Sequence, residues 1–113
     1  MSDLKEKRCM ACEGGIAALT AEQSKALNAQ VREWKIVNHH KTISRTFQFH
    51  NYYQTMAFVN AVAWVANQEN HHPDLEVSYK TCKVNYTTHA VEGLTENDFI
   101  CAAKIDELIR HGE

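Results

Sequence analysis

This 113-residue chain contains one proline, Pro73, a short polar segment beyond a long apolar stretch, and that pairing limits the fold more than any other feature. From Met56 to Ala66 the residues are apolar almost all round, which suits a helix covered on more than one side. Asn51 is a suitable N-cap, and the pattern predicts a helix from Tyr52 to about Asn67. Pro73 fixes its own φ and pushes His72 towards an extended conformation, so the helix must end before it and hand over to a strand. Glu69-Asn70-His71-His72-Pro73-Asp74 is therefore set at a rim. Two of these side chains are imidazoles, which titrate near ~6.5 and can hold or release a proton at neutral pH. A third imidazole follows in Thr87-Thr88-His89, ahead of Gly93-Leu94-Thr95-Glu96-Asn97-Asp98.

The apolar helix has two faces to cover, Phe58, Val62 and Val65 on one and Met56, Val59, Ala63 and Ala66 on the other. A chain of this length builds one core, with one sheet to lay against one face. The second face is expected to meet another copy of the chain. The 44% apolar and 23% charged fractions are those of an ordinary globular protein, and no apolar run approaches the ~20 residues that cross a bilayer. The start, Met1-Ser2-Asp3-Leu4-Lys5-Glu6-Lys7-Arg8, is charged with no apolar run behind it, so the cytoplasm is the expected compartment and no membrane partner is expected. Twelve basic against fourteen acidic residues, 12 − 14 = −2, argue against direct nucleic-acid binding.

Residues 1–19 have no sustained period and are expected to form a loosely ordered N-terminal arm, with a single domain over 20–113. Thr20-Ala21-Glu22-Gln23 is a capping box, and Leu27, Val31 and Trp34 extend the predicted first helix to about Glu33. Trp34 to Val37 and Thr42 to His50 then form a hairpin whose greasy face is Ile43, Phe47 and Phe49. His39-His40 falls in its turn and reads as solvated turn material. Leu75, Val77 and Tyr79, then Cys82, Val84 and Tyr86, alternate with polar residues as two further strands or one long bent one. His89 lies in the polar register at the end of the last strand, pointing away from Val84 and Tyr86 unless a bulge intervenes. Thr95 to Asp98 is a second capping box, opening a closing helix with Cys101, Ala102, Ile105, Leu108 and Ile109 on one arc. The order αββαββα, with connections too short for parallel crossovers, predicts an α+β fold: a four-stranded antiparallel sheet with three helices on one face.

Cys9-x-x-Cys12 has the spacing of half a zinc site, but the other half is missing, and Cys82 and Cys101 stand singly within predicted elements. Three histidines with Cys82 could serve a zinc-dependent hydrolase, yet adjacent histidines in extended chain point to opposite sides, and no metal is expected.

His71-His72-Pro73, the spacing to Thr88-His89 and the following Gly93-Leu94-Thr95-x-x-Asp98 resemble the signature of the pterin-4a-carbinolamine dehydratases. The resemblance extends from about Trp34 to about Leu108 and includes Phe47-x-Phe49 and the Phe58-containing helix. It implies an enzyme that dehydrates 4a-hydroxytetrahydrobiopterin to quinonoid dihydropterin and recycles the pterin of aromatic amino-acid hydroxylases, with no cofactor. Carried over by position, the catalytic histidines are His71, His72 and His89, followed by Pro73 and Asp98, and the expected substrate-binding residues are Asn67, Glu69, Pro73, Thr88 and Asp98. Asp98 also suits a helix-capping role. Many members carry a glutamate where this chain has Asn67; a neutral amide holds a hydrogen bond but cannot raise a histidine pKa by charge. The resemblance further implies homodimers or homotetramers, and it opens two partner readings: an aromatic amino-acid hydroxylase, or a transcription regulator bound through the apolar helix.

Overall fold

The structure is a computed structural model describing residues 3–10 and 17–112. Its elements are α1 (Ala21–Asn28), β1 (Lys35–Val37), β2 (Thr42–Gln48), α2 (Tyr52–Glu69), β3 (Asp74–Val77), β4 (Thr81–Tyr86) and α3 (Glu96–Gly112). Single 3-10 turns lie at Leu4–Glu6 and His89–Val91. The strands form one antiparallel sheet in the order β1-β2-β4-β3. The register sets Ile43 against Tyr86, Arg45 against Val84, and Phe47 against Cys82. Because side chains alternate along a strand, these pairs share one face, and Ile43, Phe47, Cys82, Val84 and Tyr86 are all buried there. Phe58 and Val62 of α2 and Phe99, Cys101 and Ile105 of α3 join them in the core. The expected α+β class, sheet and element order are therefore present.

Boundaries follow local chemistry. The Thr20 hydroxyl accepts from the Gln23 amide while the Gln23 side chain accepts from the Thr20 amide, completing the predicted capping box of α1. The helix ends at Asn28, not near Glu33: the Asn28 side-chain amide donates to the carbonyls of Val31 and Trp34, and i→i−3 bonds carry the chain through tight turns. Val31 and Trp34 still reach the core, delivered by turns and not by a helical face. His39 and His40 are exposed at positive φ in the β1–β2 turn. Asn51 caps α2 through the Gln54 amide. At its other end Asn70 takes the left-handed conformation, with its amide on the carbonyls of Ala66 and Asn67. That residue turns the chain out of the helix just before the pre-proline restriction at His72 applies.

On α2, Thr55, Phe58, Val62, Val65, Ala66 and Glu69 are buried. Ala66 thus belongs with the Phe58 face and not with Met56 and Val59, because the buried stripe runs wider than three side chains. Tyr53 and Trp64 stand on the opposite side, 88% and 64% exposed. Residues 3–10 run along α3: Leu4 is buried, Lys5 pairs with Glu107 at 3.2 Å, and Lys7 pairs with Glu96 at 2.9 Å. Among the described residues no helix is long and apolar enough to cross a membrane.

Candidate active site

Two loops, the one leaving α2 and the one that links β4 to α3, converge with Cys9 and Met10. Between them lies a cleft of about 500 Å³, within the usual range for small-molecule sites, and His71, His72 and His89 all line it. A larger hollow of about 690 Å³, lined by Arg32, Arg45 and Asp106 among others, contains no histidine. The imidazole cleft is therefore the chemically equipped one.

His71 is the most firmly held of the three. Its Nε2 lies 2.6 Å from Asp98 Oδ1, and its ring stacks on Tyr86 with centroids 5.2 Å apart and planes 13° from parallel. The Tyr86 hydroxyl donates to the His71 carbonyl at 3.1 Å. Asp98 is fully buried, so its charge needs several donors. Oδ2 accepts from the Thr88 hydroxyl at 2.8 Å and from the Thr95 amide at 3.0 Å, while Oδ1 takes His71. With its one proton on Asp98, Thr88 accepts from the Thr95 hydroxyl at 2.9 Å. One carboxylate thus caps α3 with one oxygen and orients His71 with the other.

Burial alone would pull the His71 pKa down, but the hydrogen bond and negative charge of Asp98 outweigh it and leave that pKa above the ordinary 6.5. With Nε2 directed at Asp98, Nδ1 is the ring nitrogen left for other chemistry. His72 is exposed, and its Nε2 meets Asn67 Oδ1 at 3.1 Å, so the amide at that position holds a histidine without adding charge. Pro73 makes the junction between the His pair and β3.

His89 reaches the cleft by a turn and not by strand alternation. β4 stops at Tyr86, Thr88 bridges to Gly93, and His89 opens the 3-10 turn, which breaks the register that would have aimed it away. The turn is pressed against the chain ahead of α1: a Cβ on Gly93 would lie 2.8 Å from Ala18 Cβ, and the Leu19 amide donates to the Leu94 carbonyl at 2.8 Å.

Three of the residues expected to bind substrate, Asp98 among them, are engaged inside the protein. Thr88 is buried against Asp98. Glu69 is buried too, and its carboxylate accepts from the Cys9 amide at 2.8 Å and pairs with Arg8 at 3.1 Å. Glu69 so ties residues 8 and 9 to the cleft, where Cys9, Met10 and Asn97 add a wall that sequence reasoning missed. Asn97 holds that wall by accepting from the Met10 amide at 3.0 Å and donating to the Met10 carbonyl at 2.6 Å. No local pattern marks Cys9 as a neighbour of Asn97, 88 residues away. Tyr86 was legible only as a core strand residue. Among the described residues no cluster of three or more His, Cys, Asp or Glu side chains is arranged to hold a metal ion, and Cys12 lies outside the described residues.

Comparison with known proteins points the same way. A protein of Legionella pneumophila (strain Corby), provisionally named a pterin-4-alpha-carbinolamine dehydratase, is 58% identical over 109 residues, covering 96% of each chain. A relative with the same provisional name from Nitrosomonas eutropha is 56% identical over 108 residues, covering 95% of this chain and 94% of its own. A crystal structure from Brucella melitensis, described as a transcriptional coactivator/pterin dehydratase, superposes with a TM-score of 0.77 at 26% identity, covering 80% of this chain and 97% of that one. The family model for pterin 4 alpha carbinolamine dehydratase matches residues 17–108, a span holding all three cleft histidines and Asp98. With that match and relatives above half identity over nearly the full length, the chain belongs to the pterin-4-alpha-carbinolamine dehydratase family.

Proposed function

We propose that this chain dehydrates a 4a-hydroxytetrahydropterin, such as 4a-hydroxytetrahydrobiopterin, to the quinonoid dihydropterin, using His71, His72 and His89 as its acid/base groups. The reading rests above all on the cleft in which three imidazoles converge and one is braced by a buried carboxylate. In the reaction the bond from carbon 4a to its hydroxyl oxygen breaks, and an acid supplies the proton that lets the oxygen leave as water. The lone pair of the neighbouring ring nitrogen forms the new C=N bond, and that nitrogen's proton passes to a base, so protons balance. Histidine suits both tasks near neutral pH, each typically contributing ~10²–10⁴ in rate. His71 suits the acid, since Asp98 favours its protonated form. His72 and His89, exposed on the cleft lining, suit substrate contact and proton acceptance. In the cell this step would return pterin to an aromatic amino-acid hydroxylase.

The test is a direct dehydration assay on purified protein with a chelator present. Turnover should persist, and each of His71→Ala, His72→Ala and His89→Ala should lower it by ~10²–10⁴ if that residue is acid or base, and less if it only binds. Three variants with undiminished turnover would remove the assignment.

A second reading concerns assembly and rests on Trp64 and Tyr53 standing exposed on the outer face of α2. That face would hold a second copy of the chain in a homodimer or homotetramer. A transcription regulator is the competing occupant, in line with the description of the Brucella protein.

A further inference from the structure

The N-terminal wall of the cleft brings two thiols together. The Cys9 backbone is fixed by Glu69, which accepts its amide, and the next residue is held on both sides of its backbone by Asn97. That anchorage sets Cys9 Sγ 3.5 Å from Cys101 Sγ on α3 and 3.6 Å from the Asn97 carbonyl. The two sulfurs are unlike in access. Cys101 is fully buried in the core, whereas Cys9 is partly exposed and lines the cleft. Closing the gap to the ~2.05 Å of a disulfide needs about 1.5 Å of movement, and the partly exposed Cys9 side chain, not the buried Cys101, is the side with room to make it.

We propose that Cys9 and Cys101 form a reversible disulfide, with Cys9 as the attacking thiol and Cys101 as the resolving one, so that oxidation ties the N-terminal wall covalently to α3. The oxidant is a low-molecular-weight disulfide small enough to enter the cleft. The Cys9 thiolate attacks one of its sulfurs, forming a mixed disulfide and releasing one thiolate. The Cys101 thiolate then attacks the Cys9 sulfur, forming the Cys9–Cys101 bond and releasing the second thiolate. Two protein thiols are oxidised, one small disulfide is reduced, and the two protein protons end on the two released thiolates. In the free pair Cys9 is the donor: its hydrogen bond to Cys101, with burial, raises its own thiol and lowers that of Cys101, so the first deprotonation is the demanding one. Once Cys9 is in the mixed disulfide it no longer donates, and the Tyr86 hydroxyl and the His71 charge still favour the Cys101 thiolate against the burial that raises it. Cys82, buried in the sheet beside Phe47, is the internal control.

The experiment incubates the full chain in buffers of reduced and oxidised glutathione, blocks free thiols by alkylation, and maps the linked peptides by mass spectrometry after non-reducing digestion. The expected product is a Cys9–Cys101 link, absent in Cys9→Ser and unchanged in Cys82→Ser. Cys101→Ala should stop the reaction at a glutathione adduct on Cys9. Because the bond would close a loop of 92 residues, the oxidised wild type should also melt on the order of 10 °C higher than the reduced one. The map and the melting shift use wild-type protein, so they stand even if replacing buried Cys101 prevents folding. A Cys9–Cys12 link, a wild-type glutathione adduct that never resolves, or a linked chain with no rise in Tm would each overturn the proposal.

Discussion

Burial and Asp98 pull His71 in opposite directions, and their balance sets how the cleft responds to pH. Because the His71 pKa is raised in the folded chain, protonation favours folding: that contribution is complete below about 6.5, the unfolded value, and is lost as pH climbs through the folded value. The same group sets the alkaline limb of kcat/KM if His71 is the acid. Asp98→Asn takes away the charge while keeping a side chain of the same shape. It should move the alkaline limb to lower pH, since burial then acts on His71 against the weaker contribution of Cys101 alone, and flatten the fall in stability above pH 6.5. Parallel pH profiles of turnover and of denaturant midpoint for wild type and variant check both. An unmoved limb would mean that His71 is not the acid.

The turn carrying His89 shows how one short element depends on another. Thr88 and Gly93 close it by mutual backbone bonds, with the Thr88 amide on the Gly93 carbonyl at 2.8 Å, and its outer surface is backed by Ala18 and Leu19. A methyl at position 93 would overlap Ala18, so either the segment ahead of α1 shifts, losing the bond between Leu19 and Leu94, or the turn shifts and carries His89 with it. Gly93→Ala should therefore cost ~1–3 kcal/mol, the usual range for overpacking. Chemical denaturation measures the loss. Turnover at a pH and temperature where the variant is fully folded separates a displaced His89 from a merely weakened fold.

For the assembled protein the question is which face of α2 another chain would use. Val62 is fully buried beneath the helix, whereas Trp64 is 64% exposed on the other side. A charge at the two positions should therefore act differently. Val62→Glu places an unpaired carboxylate in the core and should prevent stable folding. Trp64→Glu should leave the circular dichroism spectrum and Tm of the subunit near wild type while reducing its mass in solution to that of a monomer. A wild type that is itself monomeric, or a Trp64→Glu protein that stays assembled, would remove α2 as the contact.

The elements of this chain were legible in its residues because the rules that make them are local. Capping at Thr20 and Asn51, alternation in β2 and β4, and the conformational restraint of Pro73 each act within a few residues. The same locality placed three imidazoles, His71, His72 and His89, near element ends and Asp98 in a capping box, while their catalytic and site roles came from the family resemblance. Tertiary structure decided what depends on residues far apart in the chain. Asn28 ended α1 early by bonding to carbonyls that the following turns brought back to it. Glu69 became the anchor of Cys9, 60 residues before it, and Cys9 met Cys101, 92 residues beyond. The 3-10 turn after Thr88 broke the strand register and aimed His89 into the cleft. Which α2 face lies inside also depended on where the sheet and α3 packed, because a helix apolar almost all round differs too little between its sides to choose one.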